Sequence, residues 1–299
     1  MQNTSLIIRF RFGKDVSITG VYLRNPIQPI NTGSMYSAVE LTFKYLKYFL
    51  TASNGKGHGI HSPFVFDFIT NVLNDKRTFY AYEELEQLRG GLLSNQKLLT
   101  IEDFGAGSSV DKSNQRKVCD IARLALKPKK FGQLMFRMVD YYKANTIVEL
   151  GTSLGITTGY LASGNLMGQV YTFEGAKQVV EVARQNFQKL SLNNIKVIEG
   201  NFDNTLQPLL NKISEVDFAF VDGNHRKEPT IQYFDQLLAK AREHSVFIFD
   251  DIHWSKGMEE AWRHIQQHAA VTLTIDLFFI GLVFFRKEQK VQQHFSVRF

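Results

Sequence analysis

Thr146-Ile-Val-Glu-Leu-Gly-Thr-Ser-Leu-Gly-Ile-Thr-Thr158 reads as a short buried strand closing on an acid, then a glycine turn, then a helix start. Glycine has no Cβ, so a turn of this kind lets backbone and ligand approach closely. The first N–H groups of the helix then face whatever carboxylate or phosphate sits there. Val170-Tyr-Thr-Phe-Glu174 is a second strand ending in an acid, 25 positions after Glu149.

Two cofactors compete for this arrangement. A dinucleotide fold calls for G-x-G-x-x-G. Here the spacing is Gly151-x-x-x-Gly155, with Thr152 and Ser153 where the second glycine belongs. An acid at the tip of the second strand suits two ribose hydroxyls, which fits NAD or S-adenosylmethionine alike. The broken glycine pattern favours S-adenosylmethionine.

Further strands come in order. Ile195-Lys-Val-Ile-Glu-Gly-Asn-Phe-Asp203 is a third strand with its turn, and Asp217-Phe-Ala-Phe-Val-Asp222 a fourth. Ser245-Val-Phe-Ile-Phe-Asp250-Asp251 is a fifth, and 271–277 with 281–286 reads as a closing hairpin. Helical stretches at Val179–Leu190, Thr230–Ala241 and Met258–His268 alternate with them, which argues for a parallel α/β sheet covered on both faces. Over about residues 130–286 the chain resembles the class I S-adenosylmethionine-dependent methyltransferases, with Glu149-Leu-Gly151-Thr-Ser-Leu-Gly155 as the first motif and Glu174 as the ribose acid. The resemblance implies a Rossmann-like seven-stranded sheet in the order 3-2-1-4-5-7-6 with the last strand antiparallel. It also implies that Glu149, Gly151, Thr152, Ser153, Gly155, Glu174 and Asp222 bind the cofactor, with Asn201 or Asp203 reading the adenine amine.

The acids after strands four and five narrow the resemblance. Ligands of open α/β sheets bind beyond the carboxyl ends of the strands, where Asp222, Asp250 and Asp251 would gather. Three carboxylates together need a positive partner, and hard oxygen ligands suit Mg²⁺ or Ca²⁺, Mg²⁺ being the first expectation. The pattern resembles the metal-dependent O-methyltransferases of the catechol and macrolide-sugar types, which implies Asp222, Asp250 and Asp251 as metal ligands. A divalent ion would lower the pKa of an acceptor hydroxyl and orient it. Catalysis then falls to Asp222 and to His225 as base, three positions on, where the catechol type carries a lysine. The competing reading makes these acids helix caps. His253 and Trp254 line an acceptor pocket in one reading and belong to the core in the other.

Residues 35–130 read as a helical N-terminal extension and loop, followed by the cofactor-binding domain over 131–299. Tyr36–Leu50 carries apolar residues at helical spacing, and Ser62-Pro63 marks the next helix start. His58 and His61 lack a third ligand and read as loop and cap residues. The stretch His-Gly-Ile-His-Ser-Pro-Phe resembles an N-terminal signature of an uncharacterised bacterial methyltransferase group. Ile101-Glu-Asp-Phe-Gly-Ala-Gly-Ser-Ser109 looks like another nucleotide turn, but the polar run after it predicts an ordered loop. Residues 1–34 fit poorly with the rest of the chain and read as a non-native or disordered leader, with Met35 as the natural start. That segment holds four basic residues against one acid, half of the chain's net charge of +6. Lys127-Pro-Lys-Lys130 is then a small solvated basic turn at a helix start; no basic stripe interleaved with aromatics points to nucleic acid.

The single cysteine, Cys119, rules out an intrachain disulfide and fits a reducing cytoplasm. The longest apolar run, Leu277–Phe285, is too short to span a bilayer. The sequence therefore predicts an enzyme that methylates a small-molecule or sugar hydroxyl, with no membrane partner and with room for homo-oligomers. The alternatives are a metal-independent N- or RNA methyltransferase and a cofactor-binding regulator without turnover.

Overall fold

The computed structural model describes residues 6–12, 16–22, 35–57, 59–101 and 115–299. Strands β1 (Leu6–Phe12) and β2 (Val16–Tyr22) come first, then helices α1 (Ala38–Thr51) and α2 (Pro63–Phe68). A π-helical turn at Ile69–Leu73 extends α2, and α3 (Ala81–Ser94), β3 (Leu98–Thr100), β4 (Gln115–Lys117), α4 (Val118–Ala125) and α5 (Lys129–Tyr142) come next. Strands and helices then alternate through β5 (Thr146–Leu150), α6 (Ile156–Gly164), β6 (Gln169–Glu174), α7 (Lys177–Lys189), β7 (Ile195–Glu199) and α8 (Phe202–Leu210). The alternation continues through β8 (Phe218–Val221), α9 (Lys227–Leu238), β9 (Val246–Asp250) and α10 (Lys256–Gln267). The last strands are β10 (Leu273–Asp276), β11 (Ile280–Phe284) and β12 (Gln293–Ser296).

The main sheet runs β12-β10-β11-β9-β8-β5-β6-β7. From β7 inward this is the predicted 3-2-1-4-5-7-6 order, with β11 antiparallel to both of its neighbours. The expectation of seven strands needs correcting, because β12 adds an eighth, parallel to β10. Its sequence, Gln293-His-Phe-Ser296, is half exposed and carries no apolar run, so nothing marks it as a strand. Strands β8, β9 and β11 are buried at every position, as a sheet covered on both faces requires.

Alternate residues of those strands serve two cores. Ile147, Phe218, Phe220 and Ile248 pack on one face, together with α5 and with Val65, Phe68, Ile69 and Val72 of α2 and its π turn. Val148, Leu150, Ala219 and Phe247 face the other way, onto residues of α8, α9 and α10. The N-terminal helices are thus part of the sheet's own core. Arg137 of α5 reinforces the joint: its buried guanidinium donates to the Val72 and Leu73 carbonyls at the end of the π turn, at 2.7 and 3.2 Å. A cation there suits the negative end of a helix.

The segment after α1 is stitched to the last strand. Ser53 N–H donates to the Ser296 carbonyl at 2.9 Å, and Arg298 N–H returns to the Ser53 carbonyl at 3.0 Å. The buried Tyr48 hydroxyl donates to the Val297 carbonyl, and the Arg298 guanidinium lies 4.8 Å from the Phe49 ring centre.

A polar clasp holds the other end of α1. Glu259 of α10 accepts from the Tyr36 hydroxyl at 2.7 Å, from Lys44 Nζ at 2.8 Å and from His253 Nδ1 at 3.1 Å. His253 Nε2 meets Asp276 at 2.8 Å. Burial works against a charged His253, but the bonds from Asp276 and Glu259 win and push its pKa up from 6.5 to about 9. Burial likewise raises Glu259, yet His253, Lys44 and Tyr36 bring it down from 4.5 to about 2. The His253 contribution is therefore complete below pH 6.5 and lost as pH rises through about 9. That of Glu259 is complete above pH 4.5 and lost as pH falls toward about 2. Urea denaturation is expected to show about 2–3 kcal/mol less stability at the alkaline end of the His253 window, and His253→Gln should flatten that slope. An unchanged slope in the variant would remove the clasp as its cause.

Three expectations touch positions outside the described residues. The turn-like stretch from Ile101 lies outside them from 102 to 114, and so does His58. The leader reading falls partly outside as well; within it, β1 and β2 pair antiparallel from Leu6↔Tyr22 to Phe12↔Val16 as a separate two-stranded sheet. No helix among the described residues is long and apolar enough to cross a membrane.

Candidate active site

The carboxyl end of β5 delivers Glu149, whose side chain is wholly buried. Its Oε2 accepts from Thr158 Oγ1 at 2.5 Å and Thr172 Oγ1 at 2.6 Å, while Oε1 has no partner among the described residues. Burial pushes its pKa up to about 8 against the pull of the two threonines. A buried carboxylate oxygen without a partner fits a site that takes a donor from a ligand.

Gly151 comes two positions later at φ 109°, and a Cβ there would lie 2.1 Å from the Asp222 carbonyl oxygen. Only glycine lets the turn after β5 press against the turn after β8. Its N–H and that of Thr152 both donate to the Phe173 carbonyl at 3.0 Å, which ties the turn to β6. The Thr152 and Thr172 hydroxyls meet at 2.6 Å. Ser153 is left-handed at φ 47°, and Gly155 is the N-cap of α6 at φ 83°. No side chain caps α6, which leaves its first N–H groups unclaimed by a cap, as an anion site would need.

Glu174 lies at the tip of β6. Its two oxygens accept from Ser153 N–H and Ala176 N–H, each at 3.0 Å, which fixes the carboxylate beside the glycine turn. Asn201, predicted as an adenine contact, is the N-cap of α8 and accepts from Asp203 N–H at 2.9 Å. Asp203 in turn accepts from the Tyr233 hydroxyl at 2.6 Å. Tyr233 also receives Asn224 Nδ2 at 3.1 Å, which links the turns after β7 and β8.

Asp222, Asp250 and Asp251 do come together, and the surprise is what stands among them. Lys127 Nζ hydrogen-bonds Asp250 and lies 3.9 Å from Asp222 Oδ1 and 4.0 Å from Asp251 Oδ1. The reading of Lys127 as part of a solvated basic turn is therefore corrected: its side chain is only 21% exposed and turns into the acids. Burial, then the charge of Asp222, pushes Asp250 up to about 7, against the pull of Lys127 and His225. Burial also raises Asp222 and Asp251. Burial opposes the charge on Lys127, but the three acids outweigh it and hold the ammonium protonated well above the usual lysine range. His225 Nε2 lies 3.6 Å from Asp222 and Nδ1 3.9 Å from Asp251, at the rim of the cluster. Asp251 is left-handed at φ 53°, with its N–H spent on the Phe279 carbonyl at 2.7 Å.

Asp222, His225 and Asp250 offer ligand atoms within 4.8 Å of one another, the spacing of a cation site. The fit to a divalent ion fails on one point. An ammonium already donates to Asp250, so an incoming ion would face a like charge inside its own coordination shell. The donor set suits a cation, and the chain supplies one.

Sequence reasoning missed Lys127, and with it Thr158, Thr172 and Tyr233, which hold the acids in place. The one signal for it was arithmetic: three gathered carboxylates demand a cation, and Lys127 precedes Pro128 at a helix start.

Residues 148–252, about a third of the chain, match the family model described as a methyltransferase domain. A curated relative from Sulfolobus acidocaldarius, named "Probable cobalt-precorrin-6B C(15)-methyltransferase (decarboxylating)", is 37% identical over 86 residues, which is 28% of this chain and 41% of that one. A relative of the same name from Sulfurisphaera tokodaii is 31% identical over 94 residues, 30% of this chain and 46% of that one. The chain thus spans less than half the length of the curated relatives it matches. Among solved structures, the S-adenosylhomocysteine-bound Podospora anserina methyltransferase PaMTH1 aligns with a TM-score of 0.53 at 13% identity, over 88% of this chain and all of the other. The fold is the Rossmann-like methyltransferase fold.

Proposed function

We propose that this chain is an S-adenosylmethionine-dependent methyltransferase that acts on a hydroxyl of a small molecule. The observation that carries the reading is the turn after β5. Gly151 admits no side chain against Asp222, Glu149 keeps an unpartnered buried oxygen, and Glu174 is fixed beside Ser153. The family match over residues 148–252 supports the same ligand.

Bound there, S-adenosylmethionine supplies an electrophilic methyl group on sulfur. The uncapped start of α6 receives its carboxylate and Glu174 its ribose hydroxyls. The acceptor oxygen lies against the Asp222–Asp250–Asp251 cluster, where His225 takes its proton as the carbon–oxygen bond forms. The products are the methyl ether and S-adenosylhomocysteine. A divalent ion is no part of these steps, because Lys127 already stands between the acids. A carbon acceptor is the second reading, favoured by the C(15)-methyltransferase activity for which the curated relatives are named. NMR of product formed with an isotope-labelled methyl donor separates an ether from a C-methyl group.

S-adenosylhomocysteine at about 100 times its Kd is expected to add roughly 2.7 kcal/mol to stability, read as a thermal shift. Glu174→Ala should weaken that binding by about 10- to 100-fold, the worth of charge-assisted hydrogen bonds. No shift at saturating nucleoside overturns the reading.

A further inference from the structure

We infer that Lys127 is the resident cation of this site. Its ammonium takes the place among Asp222, Asp250 and Asp251 that a divalent ion would need, and so keeps such ions out. The inference rests on the methyltransferase reading only for its catalytic meaning; the electrostatics stand without it. The ammonium donates to one acid and lies within 4.0 Å of the other two. Asp250, its direct partner, has a side chain with no exposure at all, so solvent does little to weaken the pair.

The backbone that presents Lys127 is also built for the position. Pro128 comes next at φ −51° as the N-cap of α5, and Leu126, the C-cap of α4, comes just before Lys127. The Lys127 carbonyl accepts from Arg89 Nη1 at 2.7 Å. Arg89 is itself held by Glu86 at 2.9 Å, and Glu86 by the Tyr160 hydroxyl at 2.7 Å. This chain of contacts reaches the α4–α5 link from α3 and α6. A lysine free to swing away would need none of it. Mg²⁺ demands oxygen ligands at about 2.0–2.1 Å in near-octahedral array, and Lys127 would have to leave before the acids could supply them.

The consequence for the proposed reaction is a tethered positive charge at the acceptor oxygen. An ammonium donates hydrogen bonds and steadies developing negative charge, the role a metal ion would otherwise fill.

The test is Mn²⁺ titration of the full chain, with free Mn²⁺ read by electron paramagnetic resonance. The unaltered protein is expected to bind none up to about 1 mM. Lys127→Ala should bind one ion with a Kd of about 0.1–1 mM, the range of weak carboxylate sites. Adding Asp250→Asn to Lys127→Ala should abolish that binding. Stoichiometric Mn²⁺ on the unaltered protein at about 100 μM overturns the inference, whether or not the variants fold. A folded Lys127→Ala, checked by circular dichroism, that binds no Mn²⁺ overturns it too. S-adenosylhomocysteine affinity, measured on the same samples, separates the two claims. Absent nucleoside binding with Mn²⁺ still excluded sinks the methyltransferase reading and leaves the assignment of Lys127 intact.

Discussion

Gly151→Ala is expected to lower S-adenosylhomocysteine affinity more than 100-fold and to cost the fold about 3–5 kcal/mol. Two effects combine. The residue sits at φ 109°, which an L side chain resists, and the added Cβ would lie 2.1 Å from the Asp222 carbonyl oxygen. That oxygen belongs to backbone, so no rotamer change relieves the clash. The turns after β5 and β8 must part, and the site is built from both. Gly91→Ala is the control: it lies inside α3 with nothing within 4 Å of its Cβ, and should gain up to about 1 kcal/mol. Calorimetric titration with the nucleoside and a urea curve for each variant decide the matter. A Gly151→Ala protein that binds normally would show that the cofactor does not use this turn.

Phe68→Ala should destabilise the chain by about 3–5 kcal/mol, as emptying a buried phenylalanine site does. Phe68 is wholly buried in the core cluster that also holds Ile147, Phe218 and Leu282, and its ring centre lies 6.3 Å from that of Phe284. An N-terminal segment merely attached to the catalytic unit would behave otherwise: the main unfolding transition would hardly move. A loss below about 1 kcal/mol in a single urea transition would therefore contradict the shared core. Nucleoside affinity of the folded fraction should be unchanged, since Phe68 lies on no element of the cofactor turn.

The sheet order was legible because strands buried on both faces read as unbroken apolar runs, each stopped by an acid. Val148, Leu150, Phe247 and Phe249 announce themselves that way. The edge strand β12 did not, since a half-exposed strand of four polar-leaning residues differs little from a loop. Glu149, Gly151, Glu174 and the three aspartates were legible for the same local reason, being fixed at strand ends. Lys127 was not, because its partners lie about 95 to 124 positions later and only the tertiary fold brings them together. Asn201 shows a second role that the sequence did not announce: its side chain caps α8. Local pattern tells where a polar group sits; it does not tell which of several backbone donors has already claimed it.

The stitch between α1 and the final strand has a consequence for the order of events during synthesis. Tyr48 and its partner Val297 are 249 positions apart. At translation rates of about 5–20 residues per second, the first helices emerge roughly 12–50 s before the strand that secures them. Until Ile147 and the strands after it emerge, Phe68, Ile69 and Val72 lack the sheet residues they pack with, and the nascent chain carries an apolar surface in search of a partner. A ribosome paused near the end of the message would thus hold a chain with its cofactor turn complete and the end of α1 still without its Val297 partner. Such a chain is a natural client for chaperones that shield emerging hydrophobic segments.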